Sequence, residues 1–305
     1  MRGTNKTEFV VGIDLLDEAA EGEVRRTALA NLAKYLSSAS HAQIHLCFSA
    51  NDLGGGQSNT NSRTSIRHLN RLIEMSVNHG WLFSVCHENF VEKMLDIENN
   101  AESEIEAYVL AIREQSWVNR FYHQSTAEDL MAKSERPVLL LGPKTAERWK
   151  DKSPRGEKIN LLVATDLGES SITVEARALK FAQLSGAKIT LLHNVWHEYR
   201  NFEESIMTVG MTPLIFEDTF RAMESQASEA LHLGVEKIRA QGVECEGVLD
   251  TELRSIFQSL SAWESSHTII VLGFRRMTSF ADLLIGSCLS DTVIHSELPV
   301  LAIKF

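Results

Sequence analysis

One plan is written twice along this chain, and the repetition limits the available folds more than any single motif. Phe9-Val10-Val11-Gly12-Ile13 is an apolar run that ends at Asp14, and Ile159 to Thr165 is another that ends at Asp166. After the first, Ala28, Leu32, Tyr35 and Leu36 recur at the i, i+4, i+7, i+8 spacing of one helix face. After the second, Val174, Ala178, Phe181 and Ala182 do the same, with Ser170 and Ser171 placed to cap that helix and Gly186 placed to end it. A β-rich run follows in each copy, Gln43 to Phe48 and Lys188 to His193. The copies also close alike. Ser125 stands twelve residues before Pro137, and Ser287 twelve before Pro299, and each proline opens an apolar run. Proline as a strand's first residue costs no ladder bond. Strands alternating with helices imply an α/β chain of two tandem parallel sheets, each with helices on both faces. Ligands of such sheets bind beyond the carboxyl ends of the strands, where Asp14 and Asp166 stand.

A length of 305 residues suits two domains of about 150 residues each. The expected boundaries are 1–142 and 157–305. The intervening 143–156 has linker composition, with Pro143, Pro154, Gly156 and an excess of basic residues, although Trp149 hints that part of it is pinned down. The net charge of −11 argues against a nucleic-acid partner, which selects for a basic face. No apolar run approaches the ~18 residues of a membrane span, and no secretory leader is visible. Cys47, Cys86, Cys245 and Cys288 are scattered without a C-x-x-C pair, which fits a reducing cytoplasm. The expectation is a cytoplasmic protein with neither nucleic-acid nor membrane partners.

The second copy carries one further signal. Val271-Leu272-Gly273-Phe274-Arg275-Arg276 is followed, after nine residues, by Gly286-Ser287 and a helical pattern from Cys288 to Ser296. A strand, a glycine loop and a helix start are the parts of a phosphate cradle: glycine lets the backbone come close, and free N–H groups at the helix start face an anion. Arg276 stands where a third glycine would tighten the loop. The first copy lacks the loop, because Gln124 precedes Ser125 and Trp117 to Tyr122 hold no glycine.

On these residues the second half resembles a universal stress protein domain, and the whole chain resembles a tandem universal stress protein. The nucleotide-binding branch of that family carries G-x-x-G, nine residues, then G-[ST], against Gly273-x-x-Arg276, nine residues, Gly286-Ser287 here. The strand ending at Asp166, the Leu191-Leu192-His193 strand end and the Ser296-x-x-Pro299-Val300 closure also fit. The likeness spans most of 157–305 and is weaker in the first half. It implies five-stranded, Rossmann-like parallel sheets and pairing through the last strand, either between the two halves as a dimer built from one chain or in a homodimer. It implies ATP as the ligand. Asp166 would then meet the adenosine end, Asn194 would line the base pocket through its backbone, and Leu272 and Gly273 would approach the ribose and phosphates. Gly286, Ser287 and Cys288 would offer N–H groups to the phosphates. Arg276 either grips a phosphate through paired guanidinium bonds or closes the loop with its bulk. The function implied is stress-response regulation through an ATP-responsive second domain. The alternative is a scaffold of the same fold that binds no nucleotide.

Other features carry blander readings. Asp14 and Asp166 can each be a cap. His193 with His197, His45 with Cys47, and Cys86 with His87 give too few ligands for a metal site. Gly54-Gly55-Gly56 and the polar residues after them read as a connection. Trp196 to Phe216 reads as a long connection, either a lid or binding segment or a stretch whose aromatic side chains cover the sheet end or a neighbouring domain. No catalytic motif is present, and the chain is expected to bind rather than catalyse.

Overall fold

In this computed structural model the described residues are 7–14, 20–49, 61–86, 89–101, 103–112, 126–152, 158–196, 199, 213–252, 254–275 and 288–305. The chain divides into two compact units, residues 1–157 with 276–304, and residues 158–275 with Phe305.

The first unit opens with β1 (Thr7–Asp14), α1 (Ala20–Ser40), β2 (Gln43–Ser49), α2 (Asn61–His79) and β3 (Leu82–Cys86). It continues through α3 (Phe90–Asn100), β4 (Glu104–Ala111), α4 (Thr126–Lys133), β5 (Val138–Leu141) and α5 (Pro143–Lys150). The strands run β3-β2-β1-β4-β5 with every neighbour parallel. Both faces of such a sheet are covered, so its central strands are near-continuously apolar. Phe9, Val10, Val11 and Ile13 of β1 are fully buried, and so are Ala28, Leu32 and Leu36 of the α1 stripe. Gly12 is needed for packing: a Cβ there would press into Leu110, Phe90 and Met94.

Residues 143–150, expected as linker, are helix α5. Pro143 opens it, where its fixed φ suits a first helical residue and its missing N–H has no partner to lose. Trp149 is 1% exposed and meets the Tyr35 ring edge-on at 5.4 Å. Asn31 of α1 donates to the carbonyls of Trp149 and Lys150, at 2.9 and 3.0 Å, at the C-terminal end of α5. Burial of one large ring, rather than local composition, decides the structure of this segment.

The second unit holds β6 (Asn160–Ala164), α6 (Glu169–Ser185), β7 (Lys188–Asn194), α7 (Pro213–Arg239), β8 (Cys245–Asp250), α8 (Ile256–Trp263) and β9 (Ile269–Phe274). Its strand order, β9-β6-β7-β8, is again all parallel and repeats β4-β1-β2-β3 of the first copy. The α6 stripe is buried at Val174, Ala178, Phe181 and Ala182, and Gly186 ends the helix in the left-handed region at φ 65°. Ser255 and Gln258 form a reciprocal capping box on α8. Part of the expected 196–216 connection is helical, because α7 already begins at Pro213.

The closing elements, α9 (Cys288–His295) and β10 (Val300–Lys304), group with the first unit. β10 lies antiparallel to β5, with Val300 opposite Leu140 and Ala302 opposite Val138. The fully buried Thr145 hydroxyl reaches the carbonyls of Ser296 and Leu298, each at 3.0 Å. The last strands of the two copies therefore pair within one chain.

Candidate nucleotide site

Four of the expected site residues come together at the carboxyl edge of the second unit's sheet. Asp166 follows β6, Asn194 ends β7, and Leu272 and Gly273 lie near the end of β9. β6 lies between the other two strands, with Ala164 opposite Leu192 and Val163 opposite Val271. Cys288 opens α9 in the first unit. Arg276, Gly286 and Ser287 lie outside the described residues, as do His197 and the Gly54-Gly55-Gly56 run.

The loop after β6 is tightly specified. The Thr165 N–H still donates to Leu192 O at 3.0 Å, which extends the ladder by one residue. Leu167 then takes φ 57°, a left-handed conformation that costs an L-residue about 1–2 kcal/mol. Two side chains hold it there: Leu167 N–H donates to Thr165 Oγ1 at 3.1 Å, and Gly168 N–H to Asp166 Oδ1 at 2.9 Å. The hydroxyls of Ser170 and Ser171 also donate to the Asp166 carboxylate. Helix α6 therefore starts after Gly168, not after a serine. The two serines lie in its first turn and point back, because a carboxylate is a stronger acceptor than a hydroxyl. Burial alone would raise the Asp166 pKa, but hydrogen bonds from Ser170, Ser171 and Gly168 outweigh it and hold the group below the usual carboxylate range. Among the described residues, Gly168 N–H and the Ser170 and Ser171 hydroxyls all donate to this exposed carboxylate.

Asn194 is committed in a similar way. Its amide donates to Arg254 O at 3.1 Å and to the Ser259 hydroxyl, and its Oδ1 accepts from Trp196 N–H at 2.9 Å. These bonds turn the chain after β7 and leave the backbone as the part that can face a base. The Asp250 carboxyl, buried at the end of β8, would be raised by burial but is held low by Ser259, by Arg254 at 2.8 Å and by Glu252 N–H. Arg254, Asp250 and Ser259 were not singled out in the sequence. Asp250 could have been, since it ends a strand as Asp14 and Asp166 do.

Gly273 has a packing role. A Cβ there would stand 2.7 Å from Val174 Cγ2 and 2.8 Å from Phe305 Cε1, so the glycine lets two side chains close over the strand end. Leu272 is buried at 5% exposure. Cys288 is pushed up to about 11 by burial, and Thr292 Oγ1 donates to its carbonyl at 2.7 Å. His193 is buried with Nδ1 2.9 Å from Thr165 O, as a core histidine. Tyr199 stacks on Trp196 and meets Phe220 of α7 edge-on at 5.3 Å, so aromatic side chains of the 196–216 stretch do pack on neighbouring structure.

This doubly repeated α/β architecture, with a polar loop set at the strand ends, defines a Rossmann-like fold. Residues 160–304 match the model of the universal stress protein family. No curated protein matches the sequence. Among solved structures, a universal stress protein from Archaeoglobus fulgidus DSM 4304 is 16% identical, with a TM-score of 0.58 over 97% of this chain and 96% of that one. A putative universal stress protein from Pseudomonas aeruginosa UCBPP-PA14 is 15% identical, with a TM-score of 0.54 over 97% of this chain and 92% of that one. These full-length likenesses establish two such folds in tandem. A shorter universal stress protein from Archaeoglobus fulgidus, solved in complex with dAMP, is 23% identical over 48% of this chain and 98% of its own, with a TM-score of 0.33. Among the described residues no helix is long and apolar enough to cross a membrane.

Proposed function

We propose that the second copy binds an adenine nucleotide, ATP, beyond the carboxyl ends of β6, β7 and β9, and that this copy acts in stress response by binding rather than by catalysis. The observation that carries this reading is the convergence of Asp166, Asn194 and Gly273 on one edge of a parallel sheet, with the 165–168 loop held in a fixed left-handed turn. Ligands of open α/β sheets bind at such an edge. The sequence adds Gly286-Ser287 ahead of α9, and the N–H groups of a helix start favour phosphate.

A second reading, a scaffold without nucleotide, is favoured by one observation. The Asp166 and Asn194 side chains are already engaged, and the space at Gly273 is filled by Val174 and Phe305. Calorimetric titration of the intact chain with ATP and with AMP separates the two. Saturable heat below millimolar concentration supports the nucleotide reading, and its absence for both ligands supports the scaffold. Arg276→Gly then assigns the arginine: weaker ATP binding means that it grips phosphate, and stronger binding means that it obstructs the loop.

A further inference from the structure

Three residues of the first unit stand in an order that the nucleotide reading does not use. Glu8 on β1, His45 on β2 and Ser84 on β3 share one face of the sheet, since Val10 pairs with His45 and Cys47 with Ser84. His45 Nδ1 lies 3.0 Å from Glu8 Oε1, and its Nε2 lies 2.8 Å from Ser84 Oγ. The second Glu8 oxygen accepts from the Ser103 hydroxyl. Burial would raise the Glu8 pKa, but hydrogen bonds from His45 and Ser103 outweigh it and hold the carboxyl low. An ionised carboxylate only accepts, so Nδ1 carries the ring proton. In the neutral ring Nε2 keeps its lone pair and can accept from the Ser84 hydroxyl. Nucleophile, base and orienting carboxylate are thus in hydrogen-bond series, the arrangement that activates a serine. Ser84 is half-buried on β3, the outermost strand of its sheet. Leu82, two residues earlier on the same face, is 49% exposed and offers an apolar surface beside the hydroxyl.

We propose that Ser84 is a nucleophile that accepts the acyl group of small activated esters, with His45 as its general base and Glu8 as a positioning residue. Ser84 Oγ bonds to the ester carbonyl carbon while its proton passes to His45 Nε2. The carbon–oxygen bond to the alcohol then breaks, and the leaving oxygen takes that proton. Water repeats the cycle on the acyl-serine and releases the carboxylic acid.

The test incubates the intact chain with p-nitrophenyl acetate and, separately, with a fluorophosphonate, and locates the adduct by peptide mass spectrometry. The expected result is an adduct on Ser84 that Ser84→Ala abolishes without a change in melting temperature. His45→Gln should slow adduct formation by about 100-fold or more, and Glu8→Gln should move the pH–rate profile of the folded protein to lower pH. If His45→Gln fails to fold, the Ser84→Ala comparison and the pH dependence of the parent chain decide. No adduct on Ser84, or an unchanged rate in folded His45→Gln, would overturn the proposal and leave the series as a structural tie across three strands. An unchanged profile in Glu8→Gln would overturn the part given to Glu8. None of these readouts depends on nucleotide.

Discussion

At the residue scale, two glycines carry more than their place in a sequence pattern implies. A Cβ on Gly142 would overlap the carbonyl oxygen of Val293, a backbone atom that cannot swing aside. Gly142→Ala should therefore destabilise the protein by about 3 kcal/mol, the upper end of overpacking costs, read as a shift in the urea midpoint at unchanged slope. Gly273→Ala meets side chains instead, Val174 and Phe305, which can yield. Its expected cost is about 1–2 kcal/mol by the same measurement. The sequence marks Gly273 as a cradle glycine from its place after an apolar run. That reading locates the strand end correctly but does not reveal the two side chains closing over it, which come from distant parts of the chain. The engagement of Asp166 is half-legible: an aspartate at a strand end announces a cap, but nothing local shows that both following serines turn back to it.

At the element scale, the edge formed by β1, β2 and β3 should be acid-sensitive. Glu8 has a folded-state pKa below its ordinary value of 4.5, so its contribution to stability is present above about pH 4.5 and is lost as pH falls through the lower folded value. A urea-midpoint series from pH 6 to pH 3 should show this loss in the parent chain and a flatter dependence in Glu8→Gln. His267 has the corresponding sign for a base. It is buried at 7% exposure with Nε2 2.9 Å from Thr190 Oγ1, and burial holds its pKa below 6.5. Its contribution is full above about pH 6.5 and falls as pH drops through the lower folded value. The strands β1, β2, β5, β6, β7, β9 and β10 could be read as apolar runs and the two helical stripes from periodicity, whereas β3, β4 and β8 were not marked. Helix α5 could not, because its proline and its charges resemble a linker and only the burial of Trp149 on α1 decides the matter. The Glu8, His45 and Ser84 series was equally hidden. Each lies on a different strand, far from the others in sequence, and only strand register brings them together.

At the scale of the whole molecule, the duplication was legible in the sequence, and pairing through the last strand followed only from the family resemblance. A parallel-sheet pattern does not say which edge a closing strand will take, and here β10 runs antiparallel on β5. A chain ending at residue 157 would leave that edge of β5 open and Thr145 without its two carbonyl acceptors. Open edges pair with other chains. Such a fragment should therefore self-associate in sedimentation experiments, and adding a separate peptide of residues 288–305 should reduce the association. The nucleotide proposal is tested most directly by amide hydrogen exchange on the intact chain with and without millimolar ATP. The account predicts slowed exchange at the strand ends around residues 165–168, 194–196 and 273–275. Unchanged exchange at all three, with ATP present at that concentration, would contradict it.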